Sequence, residues 1–416
     1  MIKRLLAIIL IFVCTSIAWA VLGATVFSRT NDSDLKLRSS VERIWGAAQT
    51  QRSPNAIYRI SKTRKKISYV DKKKVVKLEK YWLTYTVPLV KSDIQSDLDL
   101  DYRQKGLLWY STYKVNFRSS YQFKNPSSKG QYVEIFFPFP GANATYDNFK
   151  FSIRKKTWYS KSNSGNGVIS GKIYAKPGEV LTVDIAYISN GLDRWNYQFG
   201  QGVSEIRDFS LVLNTNFFDI DFPDDSISPT NKTITDKGWE LHWQYNNLIS
   251  GVNIGMKLPQ KLQPGPLAGQ ISFFAPVSLL FFIVVVIVIT LIKRIDLHPM
   301  HIFFVSAAFF AFHLLLAYLV DHISIHLAFV ISSIVSMLLV VSYLRIAVGR
   351  RFAFVEAAGA QLVYLILFSY AFFFKGFTGL AVTIGAIVTL FVLMQMTARL
   401  NWPEVFSRKP NKEATK

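Results

Sequence analysis

Long apolar runs with hardly a charge inside them crowd the C-terminal third of the chain. The five runs are residues 271–292, 302–320, 323–344, 352–374 and 377–398. Each is long enough to cross a hydrocarbon core of about 30 Å at a helical rise of about 1.5 Å per residue. The pattern therefore predicts a C-terminal five-helix transmembrane bundle over residues 271–400.

A sixth apolar run opens the chain, where Lys3 and Arg4 precede the stretch 5–27. Ala18 and Ala20 form an A-x-A pattern, so one interpretation is a cleaved signal peptide. The apolar stretch is nevertheless long enough to span a bilayer, which favours an uncleaved anchor. We therefore predict an N-terminal transmembrane helix over residues 1–27.

Between the first and second apolar runs, residues 28–270 follow a different pattern. Short runs rich in aromatic and β-branched residues alternate with clusters of Gly, Pro, Asn and Ser; examples of the runs are 81–90, 106–117, 131–137, 179–189, 208–217 and 239–245. This pattern is typical of an all-β sandwich. Apolar residues at helical spacing in 33–51 predict a helix ahead of the strands, either continuing from the first span or packed against the sheet. A linker rich in Pro and Gly, residues 257–270, should lead into the second span.

The distribution of Lys and Arg between the short loops predicts the orientation in the membrane. Cations occur at the N-terminus, after the second and fourth spans and after the last span, whereas the alternate short turns contain only Lys375. Short cytoplasmic loops carry an excess of Lys and Arg. We therefore expect both termini in the cytoplasm, a basic cytoplasmic tail at 401–416, and a periplasmic domain at 28–270. The expected class is an α+β membrane protein of the bacterial inner membrane, with the lipid bilayer as its first partner.

The chain is strongly basic, with a formal net charge of +21, and ten of its cations lie in residues 59–80. One interpretation is attraction to anionic lipid headgroups or envelope polymers. The other is a solvated hairpin whose charges protect an exposed sheet edge. No nucleic acid partner is expected outside the membrane, and the sequence does not identify a protein partner.

The residues that enzymes use are sparse in the large domain. It contains one histidine, His242, and the single cysteine of the chain, Cys14, lies in the first span. There is no G-x-S-x-G turn and no glycine-rich phosphate motif. Carboxylates alternate at Asp97, Asp99 and Asp101, which fits one face of a strand better than a calcium loop, because a turn glycine and a terminal carboxylate in register are missing. We expect a protein that is not an enzyme and has no cofactor.

The stretch YLVDHISIHLAFV, residues 318–330, contains Asp321, His322 and His326 between two apolar runs. His322 and His326 at i and i+4 of one helix, with Asp321 beside them, would allow a three-ligand zinc site. A pH sensor is a second possibility. The favoured interpretation is a turn in which Asp321 caps the fourth transmembrane helix and the histidines line the wet interface.

Two further ionisable residues lie in the transmembrane segments. His313 falls near the middle of a span, where an ionisable side chain is costly and suggests a function, so it supports an alternative role as a transporter or channel component. The simpler interpretation is a neutral imidazole hydrogen-bonded to a neighbouring helix, with Tyr318, Ser332 or Ser336 as partner. Glu356 is expected to pair with Arg345 or Arg351 near the cytoplasmic surface.

Several blocks resemble the CreD inner-membrane family, also called cell envelope integrity proteins. They are HPM at 298–300, DHI at 321–323, the closing Arg399 and Trp402, and, outside the membrane, the stretches 45–58 and 102–117. The resemblance implies an inner-membrane protein linked to envelope integrity or envelope stress, with no assigned enzymatic activity. None of these blocks is a catalytic motif.

Overall fold

A computed structural model describes residues 2–70, 73–106, 108–141, 144–157, 167–200, 204–374 and 376–398. They form two compact units. The first, the helical unit, comprises the described residues of 1–36, 106–108 and 262–416; the second, the β unit, comprises those of 37–105 and 109–261. Lys375, Arg399, Trp402 and the predicted tail 401–416 lie outside the described residues.

The helical unit is built from long apolar helices. They are α1 (Ile2–Ile44), α2 (Pro264–Lys293), α3 (Pro299–Leu319), α4 (Ile325–Ala347), a fifth helix Phe352–Phe373 and a sixth helix Thr378–Thr397. By length and composition, these six helices among the described residues could cross a membrane. Their outward surfaces are apolar too, for example at Leu338 and Phe391, as expected for helices surrounded by lipid.

Proline marks the first turn of two of these helices. Pro264 begins α2, and Pro299 begins α3 directly after His298, whose Nδ1 accepts a hydrogen bond from the Met300 amide at 3.2 Å. Proline suits this position because the first amides of a helix have no partner within the helix. The HPM block is therefore a helix start.

The fifth helix is irregular. It contains two π-helical segments, Phe352–Ala357 and Leu362–Leu367, and ends in a 3₁₀ turn, Ala371–Phe373. π-turns bring residues five apart, rather than four, onto one face of the helix.

The β unit contains fifteen strands in its described part. They are β1 (Gln49–Arg52), β2 (Asn55–Val70), β3 (Lys73–Thr86), β4 (Leu89–Lys105), β5 (Leu108–Lys124), β6 (Gln131–Pro138), β7 (Tyr146–Ile153), β8 (Lys156–Thr157), β9 (Val168–Ala175), β10 (Val180–Leu192), β11 (Arg194–Gln198), β12 (Ser204–Thr215), β13 (Asn231–Ile234), β14 (Trp239–Ser250) and β15 (Ile254–Lys257). They form a three-stranded sheet, β1-β11-β15, an eight-stranded sheet, β13-β14-β12-β4-β5-β10-β7-β8, and a four-stranded sheet, β3-β2-β6-β9. An all-β sandwich, as predicted from the sequence, has two packed sheets, whereas the described strands form three.

The core of the β unit follows from strand alternation. Strands β5 and β10 pair antiparallel, with Phe117 opposite Tyr187 and Tyr121 opposite Val183. All four side chains are buried, whereas their immediate neighbours along each strand, such as Arg118 and Ala186, are more exposed. Aromatic and aliphatic residues at alternate positions of these strands thus form much of the interior.

The architecture confirms an α+β chain with a large β portion and several apolar helices. Some predicted boundaries are wrong. The helix expected within 33–51 is the end of α1 and stops at Ile44, because 49–52 pairs with β11 as strand β1. The linker expected at 257–270 is shorter, since β15 extends to Lys257 and α2 begins at Pro264.

Candidate functional site

The turn between α3 and α4 is held by an ion pair with α1. Asp321 Oδ2 lies 2.9 Å from Arg29 Nη2. The N-cap position of α4 is Ser324, and its side chain makes no capping hydrogen bond. The prediction that Asp321 caps α4 is therefore wrong, because the carboxylate lies three residues before the cap and a guanidinium from another helix takes it.

The two histidines of this turn do not share a helix face. His322 belongs to the turn, where its amide donates to Leu319 O at 2.9 Å, whereas His326 lies in the first turn of α4. Both side chains are exposed, and the ring of His326 lies 5.2 Å from that of Phe373. No group of three or more His, Cys, Asp or Glu that could hold a metal occurs among the described residues. The zinc hypothesis required His322 and His326 on one helix, and this requirement is not met because α4 begins after His322.

His313 is fully buried in the helical unit, but it does not join two helices by a hydrogen bond. Its Nδ1 lies 2.8 Å from Phe309 O, one turn earlier on the same helix. The ring packs edge-on against Trp19 of α1, with centroids 5.4 Å apart, and against Phe312. His313 Nε2 and Trp19 Nε1 are both buried without a hydrogen-bond partner. The predicted bond to Tyr318, Ser332 or Ser336 is wrong, since the imidazole is turned towards α1.

A chain of hydrogen bonds links α3, α4 and the fifth helix. Ser336 Oγ on α4 donates to Ala308 O on α3 at 2.8 Å, and Gln361 Nε2 on the fifth helix donates to Ser336 Oγ at 2.9 Å. Both side chains are fully buried, and Gln361 Oε1 has no partner. Polar side chains of this kind connect helices in a bilayer. The sequence analysis considered Ser336 only as a partner of His313, and it did not identify Gln361 as the partner of Ser336.

Glu356 pairs with Lys293 at the end of α2, not with Arg345 or Arg351. Its side chain is 10% exposed, and its Oε2 has no partner. The residue lies in the first π-helical segment of the fifth helix, Phe352–Ala357.

In the β unit, Asp97 is held by neutral amides and one cation. Its Oδ2 lies 3.1 Å from Arg118 Nη2 and 3.2 Å from Asn116 Nδ2, and its Oδ1 accepts from Asn214 Nδ2 at 2.8 Å. The residue lies within strand β4, as the alternating carboxylates predicted. The carboxylate therefore connects β4 to both neighbouring strands, β5 and β12.

The basic segment 59–80 forms most of the β2–β3 hairpin, which was one of the two interpretations of this segment in the sequence. Ser61 pairs with Trp82, and pairing continues to Val70 and Lys73, whereas β6 pairs with β2 only at 55–58. We call residues 61–80 the basic ribbon; Asp71 and Lys72 in it lie outside the described residues. The Arg64 guanidinium, 2.8 Å from Glu79, lowers the pKa of that carboxyl. Lys66 Nζ lies 3.9 Å from the same carboxylate, and the other cations of the ribbon whose side chains are described are exposed to solvent.

At the base of the ribbon the four-stranded sheet carries a groove of about 490 Å³. Its lining residues, which we call the aromatic groove, are Ile57, Tyr58, Arg59, Trp82, Thr84, Gln131, Tyr132, Glu134 and Lys172. Trp82 is 65% exposed and Tyr132 62% exposed. Lys172 Nζ lies 5.6 Å from the Tyr132 ring centroid, and Arg59 Nη2 lies 3.8 Å from Glu134 Oε2. Sequence reasoning missed this groove because its residues come from four strands.

Comparison with known proteins identifies one family. Residues 221–403 match the family model described as inner membrane protein CreD, which confirms the resemblance over that part of the chain. Together with the apolar helices, the match supports a location in the membrane. No curated protein matches. Among solved structures, a putative nutrient binding protein from Legionella pneumophila subsp. pneumophila str. Philadelphia 1 is similar with a TM-score of 0.31 and 10% identity, over 57% of this chain and 76% of that one.

Proposed function

We propose that this protein contributes, without enzymatic activity, to the integrity of the bacterial cell envelope or to its stress response, and that its β unit acts in the periplasm. The observation that carries the proposal is the insertion of a large basic β unit between the first two apolar helices of a chain that matches an inner-membrane family. The six apolar helices form its membrane bundle. Such a chain presents the β unit to one side of the membrane only.

The side of the membrane follows from the positive charges. Lys3, Arg4, Lys293 and Arg294 flank the cytoplasmic ends of the first two spans in this arrangement. Their cations favour the cytoplasm, so the segment between these spans faces the periplasm. Alkaline phosphatase fused after Ser250 should be active, and fused after Arg351 inactive. The reverse pattern would contradict the proposed topology.

The basic ribbon is the proposed contact with the envelope. Residues 61–80 hold nine cations against two carboxylates, a net charge of +7. The strands beyond residue 61 pair only with each other among the described residues, so both faces of the ribbon are available. An extended cationic surface attracts anionic lipids or anionic polymers within a Debye length.

Complementation in a strain lacking the gene tests this role. The full chain should restore resistance to detergent and exclusion of a membrane-impermeant dye. Reversing two ribbon charges, Lys65→Glu with Lys77→Glu, should reduce this rescue, whereas Lys176→Glu with Lys237→Glu, a matched pair elsewhere on the β unit, should not. Equal effects of the two pairs would contradict a role for the ribbon. A hydrolytic or transfer activity of the purified protein, abolished by a point mutation, would overturn the non-enzymatic role.

Transport is the alternative function, and the buried His313 favours it. Its Nε2 has no partner, although an imidazole in a bilayer normally finds one. If the bundle moves protons, His313→Phe should abolish acidification of liposomes that contain the protein, while the exposed His326→Phe should leave it unchanged. Equal fluxes for wild type and His313→Phe would exclude the histidine as a proton carrier.

A further inference from the structure

The aromatic groove differs from the rest of the surface in its mixture of rings and charges. Tyr132 and Tyr174 lie opposite each other on β6 and β9 with ring centroids 5.4 Å apart, and both are largely exposed. Trp82 lies on the same face, on β3, which is the opposite edge strand of this sheet. Exposed aromatic side chains bordered by polar groups mark surfaces that bind a partner. The rings are in water in the free protein, and a bound partner buries them, which favours binding.

The polar groups of the groove fit hydroxyl-bearing rings. Glu134, Gln131 and Thr84 offer oxygen acceptors beside the aromatic rings, and Arg59 and Lys172 offer cationic donors. One face of a sugar ring carries C–H groups that pack on an aromatic ring, while its hydroxyls donate and accept at the edges. Pockets that orient a small ligand combine apolar walls with a few such polar groups, and a volume of about 490 Å³ is within their usual range.

The same face continues along the basic ribbon. Arg59, Ser61, Thr63 and Lys65 point to one side of β2, and their partners on β3 include Trp82 and Lys80. Cations therefore follow the rings along one line from Lys172 to Lys65. Lys62 and Arg64 belong to the opposite face. The line of cations suits an extended ligand that repeats its negative charge.

We propose that the aromatic groove and the adjoining face of the ribbon bind an anionic polysaccharide, with sugar rings on Trp82 and Tyr132 and carboxylates on Arg59, Lys80 and Lys172. This inference rests on the proposed envelope role and names the ligand class for it. The competing occupant is an anionic bilayer, since Leu78 is also exposed on this face. The groove favours the polysaccharide because Glu134 would repel anionic headgroups but accepts hydrogen bonds from hydroxyls.

The test measures binding of a galacturonic acid hexasaccharide to the full chain in phosphatidylcholine nanodiscs by calorimetry. Wild type should bind it, and Trp82→Ala should weaken binding about tenfold, as expected for the loss of one stacked ring. Lys80→Ala should weaken it about threefold, while Lys62→Ala, on the other face, should change it less than about twofold. Trp82→Tyr should keep most of the affinity and shows that the fold survives the change.

Several outcomes would overturn the proposal. They are no binding to wild type, equal binding by Trp82→Ala, equal losses for Lys62→Ala and Lys80→Ala, or equal binding of a neutral N-acetylglucosamine hexasaccharide. Binding only to vesicles with 30 to 40 per cent of their lipid as phosphatidylglycerol, on the order used to mimic an anionic leaflet, would assign the face to lipid instead. Rescue of the envelope phenotype by Trp82→Ala with lost saccharide binding would reject the groove's role and leave the proposed function standing.

Discussion

The guanidinium of Arg29 on α1 lies 2.9 Å from the carboxylate of Asp321 in the α3–α4 turn. The same Nη2 donates to Ala317 O at 2.9 Å, and Arg29 Cζ lies 5.3 Å from the centroid of the Tyr318 ring. One side chain thus connects the first apolar helix to the end of the third. The acidic residue that marked a possible metal or cap site in the sequence holds a helix contact.

Replacing Arg29 by Ala should lower the free energy of unfolding of the helical unit by about 1–2 kcal/mol, because an ion pair, a hydrogen bond and a cation–π contact are lost. The side chains are 37% and 29% exposed, so the ion pair itself should contribute less than about 1 kcal/mol. A double-mutant cycle of Arg29→Ala and Asp321→Asn, followed by thermal unfolding in detergent, measures this coupling. His322→Ala is the control and should change stability by less than about 0.5 kcal/mol. Additive effects of the two substitutions would show that the pair is not coupled.

Replacing Lys293 should lower the free energy of unfolding of the helical unit more than replacing a cation that has no buried partner. Glu356 would remain almost buried without its partner, which in buried ion pairs costs about 3 kcal/mol. Lys293→Ala should therefore lower the unfolding temperature, and Lys293→Ala combined with Glu356→Gln should recover most of the loss. Lys293→Arg is the conservative control. If the double variant is as unstable as Lys293→Ala, the uncompensated carboxylate is not the cause.

Alkaline pH should destabilise the β unit through its buried tyrosines. Burial raises the pKa of Tyr197 to about 12, and the pKa values of Tyr121 and Tyr187 well above the ordinary value. The folded state disfavours the phenolate, so burial of the neutral tyrosine contributes to the free energy of unfolding. This contribution is complete below the unfolded pKa of about 10 and is lost as pH rises through the folded pKa. Each such tyrosine should lower the free energy of unfolding by about 1.4 kcal/mol per pH unit between pH about 10 and 12.

Absorbance at the phenolate band during a pH jump tests this expectation. The buried tyrosines should ionise together with unfolding, after the exposed ones. Tyr197→Phe should reduce the pH dependence in this window, although it also removes the 3.3 Å contact between the hydroxyls of Tyr197 and Tyr121. Ionisation of all tyrosines near pH 10 in the folded protein would contradict the burial.

Gly191 should tolerate no side chain. It lies opposite Tyr113 in the β5–β10 pair, and a Cβ there would lie 2.2 Å from Tyr113 Cζ. Tyr113 cannot easily move, because it is fully buried and its hydroxyl donates to Arg194 O at 2.9 Å. Gly191→Ala should therefore destabilise the β unit by about 2–3 kcal/mol in chemical denaturation. Gly178→Asn, at a turn with φ of +67° and open space, should cost less than about 1 kcal/mol; similar losses at the two sites would exclude overpacking.

The sequence also predicted details beyond the apolar helices. The runs 106–117 and 179–189, rich in aromatic and β-branched residues, predicted strands where β5 and β10 lie, and the hairpin that was one interpretation of 59–80 is present as β2 and β3. Small residues recur at four-residue spacing at Ser332 and Ser336 and at Ala353 and Ala357, and all four are buried. Ala307 is exposed although it has the same spacing with Ala311, and its neighbour Ala308 packs instead. Four-residue spacing places small residues along one side of a helix, but it does not determine whether that side faces a neighbouring helix.

The sequence by itself determined the class of this protein. Segment length, apolar runs and runs of strand-forming residues are local properties, and they determine directly whether a segment suits water or lipid. It also identified Asp321, His313 and Glu356 as side chains that need partners. Tertiary structure decided the partners: Arg29 for Asp321, the Phe309 carbonyl for His313 and Lys293 for Glu356. The two ion pairs join residues 292 and 63 positions apart, and the aromatic groove collects four strands. Such contacts depend on which helix and strand faces meet, and no local pattern records that choice.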